Sequence, residues 1–539
     1  MKRNLSVIGS CLVLVASTLA LPLSVAQQPP AIPFGIGQGQ GQGQGNQRGG
    51  QQRGGLAGGS GLGGGAAQAD FDSLIELIQS TVSADTWMEN GTGEGEVQPF
   101  PNGVYADAKG TLRFANASLT NVALGQFPKR AASQAAEDVR QSSMLRYVSL
   151  PRLEAAIRAR QLRREALPEE MLTLAGLERV QYVFVLPRPS ETAGDSLGDS
   201  STGLPGDLVV AGPAGDWQVR RDGKIVSART GQPIVRLDDL LTLWRRHVQR
   251  RGAAFGVSIN PRQQGLARVQ DYVRASNAKP LEPGERGDWL QGLQESLGQQ
   301  DVEFFGIEPD SHVARVLLVA DYHMKLIGMG LAEGVDGVTS YLKSVRVGPD
   351  GSLPPMTVLR WWFAMQYHPV TTSPKRDVFQ LHGPGAKVLS ENELLAAQGR
   401  RVHTGKSDDL NQQYAASFSE QFEQICQKYP LYTELRNVFD LSLVLALIER
   451  EGLIKRVGWQ PTLLANADWL PLPQMRVPAE VETVVNHRVI RRKHIVAGVS
   501  GGVWIDAPNT LAVESAASDL TTAKAAPDRV AGENIWWWD

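Results

Sequence analysis

The sequence predicts an α+β protein: a layered mixed α/β body with a C-terminal helical hairpin, carried on a disordered Gly/Gln-rich N-terminal tether. Three observations predict it. From residue 147 onward, short β-like runs alternate with stretches of helical periodicity. Two long apolar-periodic segments, 408–428 and 431–452, are separated only by a short break at Pro430. Residues 27–69 are dense in glycine and glutamine and poor in apolar side chains. Alternating strands and helices must bury apolar faces against one another in layers, whereas a glycine-rich segment has much backbone entropy to lose and little area to bury.

At 539 residues with 42% hydrophobic content, the chain can fill real cores in two to four domains. Residues 1–26 have the form of a secretory signal: Lys2 and Arg3, an apolar stretch over 8–23, then Ser24-Val25-Ala26 as a small-x-small cleavage site. The mature chain would begin at Gln27. Ile8-Gly9-Ser10-Cys11 loosely mimics a lipidation site, but the apolar run follows the cysteine instead of preceding it. Cys426 would then be alone in the mature chain, with no intramolecular disulfide despite export. No later run reaches the roughly 18 apolar residues of a membrane span. The expected location is therefore exported, periplasmic or extracellular, and soluble after cleavage; an uncleaved leader acting as an anchor is the alternative.

Residues 27–69 form the expected linker, a plain spacer in preference to an attachment element. Within 70–125, Phe71, Leu74, Ile75 and Ile78 mark a short amphipathic helix, followed by Trp87 and by turn-forming Gly91, Gly93 and Gly95. No helix follows these glycines as a phosphate loop requires. This small helix-plus-strand module resembles one that recurs in exported proteins of planctomycete bacteria.

The main body is expected over 147–506, with a possible sub-boundary near residue 300. It opens with a helix carrying Leu153, Ile157 and Leu162, whose arginines (152, 158, 160, 163, 164) read as a solvated face before a polymer-binding one. A strand, VQYVFVLP, follows. Asp222-Gly223 between two β-like runs predicts a hairpin, and Leu237, Leu240, Leu241 and Trp244 start the next helix. FGVSINPRQQGLARVQDYV then reads as strand, turn at Asn260-Pro261, and helix. A helix over 288–297 and the strand VEFFGI lead into the longest apolar-rich stretch after the leader, SHVARVLLVADYHMKLIGMGL, at 311–331.

Alternation of Ala320, Tyr322, Met324 and Leu326 with Asp321, His323 and Lys325 suits a strand, but the pattern runs about 15 residues without a breaker, beyond the usual 4 to 8 of a strand. We therefore read it as a central helix, with Ser311 as N-cap and Gly328 as stop. Its apolar residues cover most of the circumference, so Asp321 and Lys325, four apart, are expected to pair in the interior as a structural ion pair, with acid/base chemistry as the alternative.

Beyond Gly337 the chain turns sheet-like (LRWWFAMQYHPV, DVFQLHGPGAKVL), then gives the helical hairpin, in which Cys426 serves as a small buried hydrophobe. Residues 482–505 form the last β region. The tail, 507–539, is Ala/Ser-rich and ends in three tryptophans, expected to dock on the body because an exposed apolar cluster invites aggregation.

No motif names a reaction. Gly498-Val499-Ser500-Gly501-Gly502 spells GxSxG, but the nucleophile elbow needs a helix after it and VWID reads as a strand; we expect a glycine-rich turn or bulge. The eight histidines form neither HExxH nor a zinc-spaced cluster, and no dinucleotide, nucleotide or calcium loop occurs. No cofactor or metal is expected, and a net charge of −2 points to no nucleic-acid partner. The weak catalytic candidates are Asp321, His323, Lys325 and Ser500.

VARVLLVADYHMKLIGMGL, LRWWFAMQYHPV, VFQLHGPGAKVLSENEL, LRNVFDLSLVLALIEREG and VAGVSGGVWID together resemble a family of uncharacterised exported planctomycete proteins, known only as a domain of unknown function. The resemblance implies export and one continuous body and carries over no catalytic residue. The sequence thus points to a non-enzymatic binding or assembly component of the cell envelope, with an unknown envelope protein or polymer as partner. An envelope hydrolase using the central helix or the GVSGG turn is the alternative.

Overall fold

A computed structural model of the protein describes residues 96–100, 103–107, 137–186, 206–220, 224–276, 285–346, 358–490, 493–515 and 535–539. The leader, the tether, the helix expected around Phe71, Trp87, the three spaced glycines and the Asp222-Gly223 turn lie outside these residues.

Among the described residues, two sheets carry the architecture. The larger has eight strands, in the order Arg401–His403, Gly385–Leu395, Val358–Gln366, Lys493–Ile505, Phe255–Pro261, Gln299–Phe305 and Glu480–Glu482, with Val485–Ile490 hairpinned onto Lys493–Ile505. Val358–Gln366 runs parallel to Lys493–Ile505 and antiparallel to Gly385–Leu395. The smaller has seven, in the order Val513–Ser515, Val370–Thr372, Val378–Gln380, Tyr182–Leu186, Asp207–Ala214, Ser143–Ser149 and Trp537–Trp538. One hydrophobic core joins the inner face of the larger sheet (Val257, Leu359, Val503) to that of the smaller (Val183, Leu208, Val210). The fold is α+β.

Residue 300 lies inside the strand Gln299–Phe305, paired with Phe255–Pro261. The smaller sheet takes strands from both sides of the 147–506 span: it includes Ser143–Ser149, Val513–Ser515 and the terminal Trp537–Trp538. Asn260 and Pro261 close a strand, and the turn before the helix Gln263–Ser276 falls after them.

The central helix spans His312–Met329 and packs between the larger sheet and the helices Pro430–Arg450 and Leu237–Gln249. Ser311 caps it as expected, its hydroxyl accepting from the Ala314 N–H at 3.1 Å. Gly328 is not the stop. The helix runs through it and ends at Gly330, whose φ of 72° suits a glycine C-cap. Gly328 lacks a side chain for packing reasons: a Cβ there would sit 2.3 Å from the Trp361 ring and 2.8 Å from Tyr414.

Alternation in Val358–Gln366 sends Leu359, Trp361, Phe363 and Met365 inward. Trp361 meets Tyr414 with ring centroids 4.4 Å apart, and Phe363 packs among Phe418, Phe422 and Tyr432. The segment expected as one helix over 408–428 is two, Asp409–Glu420 and Phe422–Lys428, broken at Gln421; Pro430–Arg450 follows. Cys426 is buried in this packing, and burial pushes its thiol up to about 12.

The GVSGG segment is neither a turn nor a bulge. It lies in the interior of the strand Lys493–Ile505, with Phe255–Pro261 on one side and Val358–Gln366 on the other. The glycines are required by close approach. A Cβ on Gly501 would fall 1.6 Å from the Trp361 carbonyl oxygen, and one on Gly502 would fall 2.0 Å from that of Val257.

Candidate functional site

The central helix separates its ionisable groups. Lys325 Nζ lies 2.7 Å from Asp321 Oδ2, and neither side chain has any exposure. Burial raises the Asp321 carboxyl and lowers the Lys325 ammonium, and each shift is opposed by the attraction of the other group. The pair faces the larger sheet, where Lys325 Cε is 3.2 Å from the position a Gly501 Cβ would take. His323, about 200° further round the helix, faces other elements. Its Nδ1 is 2.8 Å from the Tyr432 hydroxyl and its ring stands edge-on to Tyr429 at 4.6 Å. Burial, helped by Lys428, lowers its pKa to about 3, so it is neutral.

Ser500 belongs to a different cluster. Its buried hydroxyl reaches Glu393 Oε2 at 3.2 Å and the Leu359 carbonyl at 3.3 Å. Arg401 Nη1 donates to the same Glu393 oxygen at 3.0 Å, and Arg360 Nη1 donates to Glu391 Oε2 at 2.9 Å. His403 Nδ1 is 3.1 Å from Glu393 Oε1 and 3.3 Å from Glu391 Oε2. Register builds this cluster: Arg360 is opposite Ser500 on one side and Glu391 on the other, while Glu393 is opposite His403. The i, i+2 spacing puts both glutamates on one face. Burial alone would raise Glu391, but the Gly405 N–H, Arg360 and His403 hold it below the ordinary carboxylate range.

The chemistry open to this cluster is limited by its order. A serine nucleophile needs its hydroxyl on a base held by a third group; here the carboxylate sits between serine and imidazole. Glu391, Glu393 and His403 offer three ligand atoms within 4.8 Å of one another, a donor set a divalent metal accepts. The Arg360 and Arg401 guanidiniums already hold those carboxylates, which makes the group a balanced ion-pair network. Sequence reasoning found Ser500 and missed its partners, because they come from three other strands; the Glu-x-Glu spacing was their only local trace.

The same face of the larger sheet carries aromatic side chains to solvent. Trp504 is 50% exposed, with the Phe305 ring 5.1 Å away. Half-buried Trp362 lies under the Arg360 guanidinium at 4.4 Å. Trp504 is opposite Ala364 and Gly256, and Trp362 is opposite Gly502 and Leu389, so the neighbours facing the two rings across the ladder are small except for Leu389. Gln366, Lys387 and Glu303 share this face by alternation. Helices Gln263–Ser276 and Arg286–Leu297 form a separate apolar cluster with Val358 and Leu395 at one end of it.

No helix among the described residues is long and apolar enough to cross a membrane. No curated protein and no solved structure matches the chain. Over residues 257–341, from the strand beside GVSGG through the central helix, the chain is similar to a family described as "Protein of unknown function (DUF1598)".

Proposed function

We propose that the protein is an exported, non-enzymatic binding component of the cell envelope, in which the body spanning 147–506 is held on the 27–69 tether and uses the outer face of the larger sheet to bind an extended neutral polymer such as a polysaccharide. The observation that carries this reading is the half-exposed Trp504 against Phe305, on the same face of the sheet as Trp362. Indole faces are large, rigid and amphipathic, and match the C–H faces of sugar rings at little entropic cost. Nearby charges are mixed in sign: Arg360 is paired with Glu391, and Lys387 shares the face with Glu303. A nucleic acid would call for a basic stripe. The hydrolase alternative draws no support from the placement of Asp321, His323, Lys325 and Ser500, all buried and divided between two sides of the helix and the sheet.

The test is affinity electrophoresis and tryptophan fluorescence of the leader-cleaved protein with soluble envelope polysaccharides, comparing parent with Trp504→Ala. We expect at least a roughly tenfold loss of affinity, on the scale of about 1 to 3 kcal/mol for a stacked ring. Equal retention of both proteins would reject the sheet face as the receptor surface.

A further inference from the structure

A recess elsewhere in the molecule is lined by none of the sheet-face residues. Helices Leu237–Gln249 and Pro430–Arg450, with the short helix Leu453–Val457 and Trp459 beyond it, enclose a cleft of about 380 Å³. Its walls are apolar: Trp244, Val248, Leu445, Ile448, Ile454 and Trp459. That volume is within the range of pockets that take small molecules, and apolar walls with a few convergent polar groups are their usual form. The polar groups are His247, Glu449, Arg251 and Lys455.

Their charges do not balance. His247 Nε2 is 2.8 Å from Glu449 Oε2, and Arg251 Nε is 3.8 Å from Glu449 Oε1. Burial holds His247 below its ordinary value, aided by Arg246 and Arg251 and opposed by Glu449, so it is a neutral partner at neutral pH. One carboxylate therefore faces two exposed cations, Arg251 and Lys455, and the mouth is net positive. Two further features suit an occupant. Val248 at the rim is 45% exposed. Trp244 and Trp459, tilted against each other at 5.3 Å, give the cleft two aromatic walls.

We propose that this cleft is a binding site for a small apolar monoanion, an aryl or branched-alkyl carboxylate, whose hydrocarbon part packs among Leu445, Ile448 and the two tryptophans and whose carboxylate meets Arg251 and Lys455. The site is independent of the sheet face and of any polymer bound there.

Isothermal titration with 4-phenylbutyrate, 4-phenylbutanol and 4-phenylbutylamine tests it, using the leader-cleaved protein and two variants at exposed positions: Val248→Trp, which caps the mouth, and Arg251→Glu, which reverses its charge. The expected result is saturable binding of the carboxylate, preferred over the alcohol and the amine by roughly tenfold, lost in Val248→Trp and weakened by a similar factor in Arg251→Glu. Melting curves of both variants should match the parent, since both side chains are solvent-facing. Binding of all three probes weaker than about 1 mM, equal affinity for the three, or carboxylate affinity unchanged in either variant would overturn the proposal.

Discussion

Lys325 and Asp321 form an ion pair of 2.7 Å on consecutive turns of the central helix, with no part of either side chain reaching solvent. Placing two charges there costs desolvation that their attraction only partly offsets. Removing one partner is worse, because it strands the other. Asp321→Ala is therefore expected to lose about 3 to 5 kcal/mol by urea denaturation. Replacing both, as Asp321→Leu with Lys325→Met, should recover most of that loss. A double variant no more stable than the single one would show that the pair does more than satisfy itself.

His323 makes stability depend on acid. Its folded pKa of about 3 lies below the ordinary value near 6.5, so the unfolded chain takes up a proton that the folded one refuses. Stability from this group is fully present above about pH 6.5 and is lost as pH falls toward 3, with a slope approaching about 1.4 kcal/mol per pH unit. Urea midpoints between pH 7 and pH 4 should show the slope in the parent and a flatter one in His323→Gln. Parallel slopes would assign the acid sensitivity elsewhere.

The tryptophan tail is held by a buried arginine. Arg146, with no exposure, donates to both Asp539 carboxylate oxygens at 2.8 Å and lies over the Trp537 ring at 4.8 Å, while Trp537 and Trp538 pair with Val148 and Tyr147. Trp536 is 5% exposed. Deleting 535–539 removes an edge strand and a large buried ring and should lower stability by about 3 kcal/mol or more, from lost apolar burial and a buried guanidinium left with backbone acceptors but no carboxylate. The mass by light scattering should stay the same. A changed mass with an unchanged melt would mean that the tail works between copies.

Gly501 tolerates no side chain. With its Cβ position 1.6 Å from the Trp361 carbonyl oxygen, Gly501→Ala must separate two hydrogen-bonded strands, and should cost more than about 4 kcal/mol or prevent folding. Gly405→Ala, where nothing lies within 4 Å of the new atom, carries only the cost of its φ of 64° and is the control. Near-equal losses would place the strain in the backbone conformation instead of the strand contact.

The sequence by itself determined the local elements. Periodicity and length made 311–331 a helix, the Ser311 hydroxyl marked its start, and four-residue spacing paired Asp321 with Lys325. Each depends on residues within a turn or two of one another, where propensity and pattern act directly. Tertiary structure decided the rest. Gly328 reads as a stop and is a packing notch for Trp361; GVSGG reads as a turn and is the tightest part of a sheet, because which strands approach it is set by chain more than a hundred residues away. Ser500 met Glu393, and Trp504 came to share a face with Trp362, through strand register, and His247 met Glu449 across two packed helices. Such pairings follow from how layers bury their apolar faces against each other, and no local spacing encodes them.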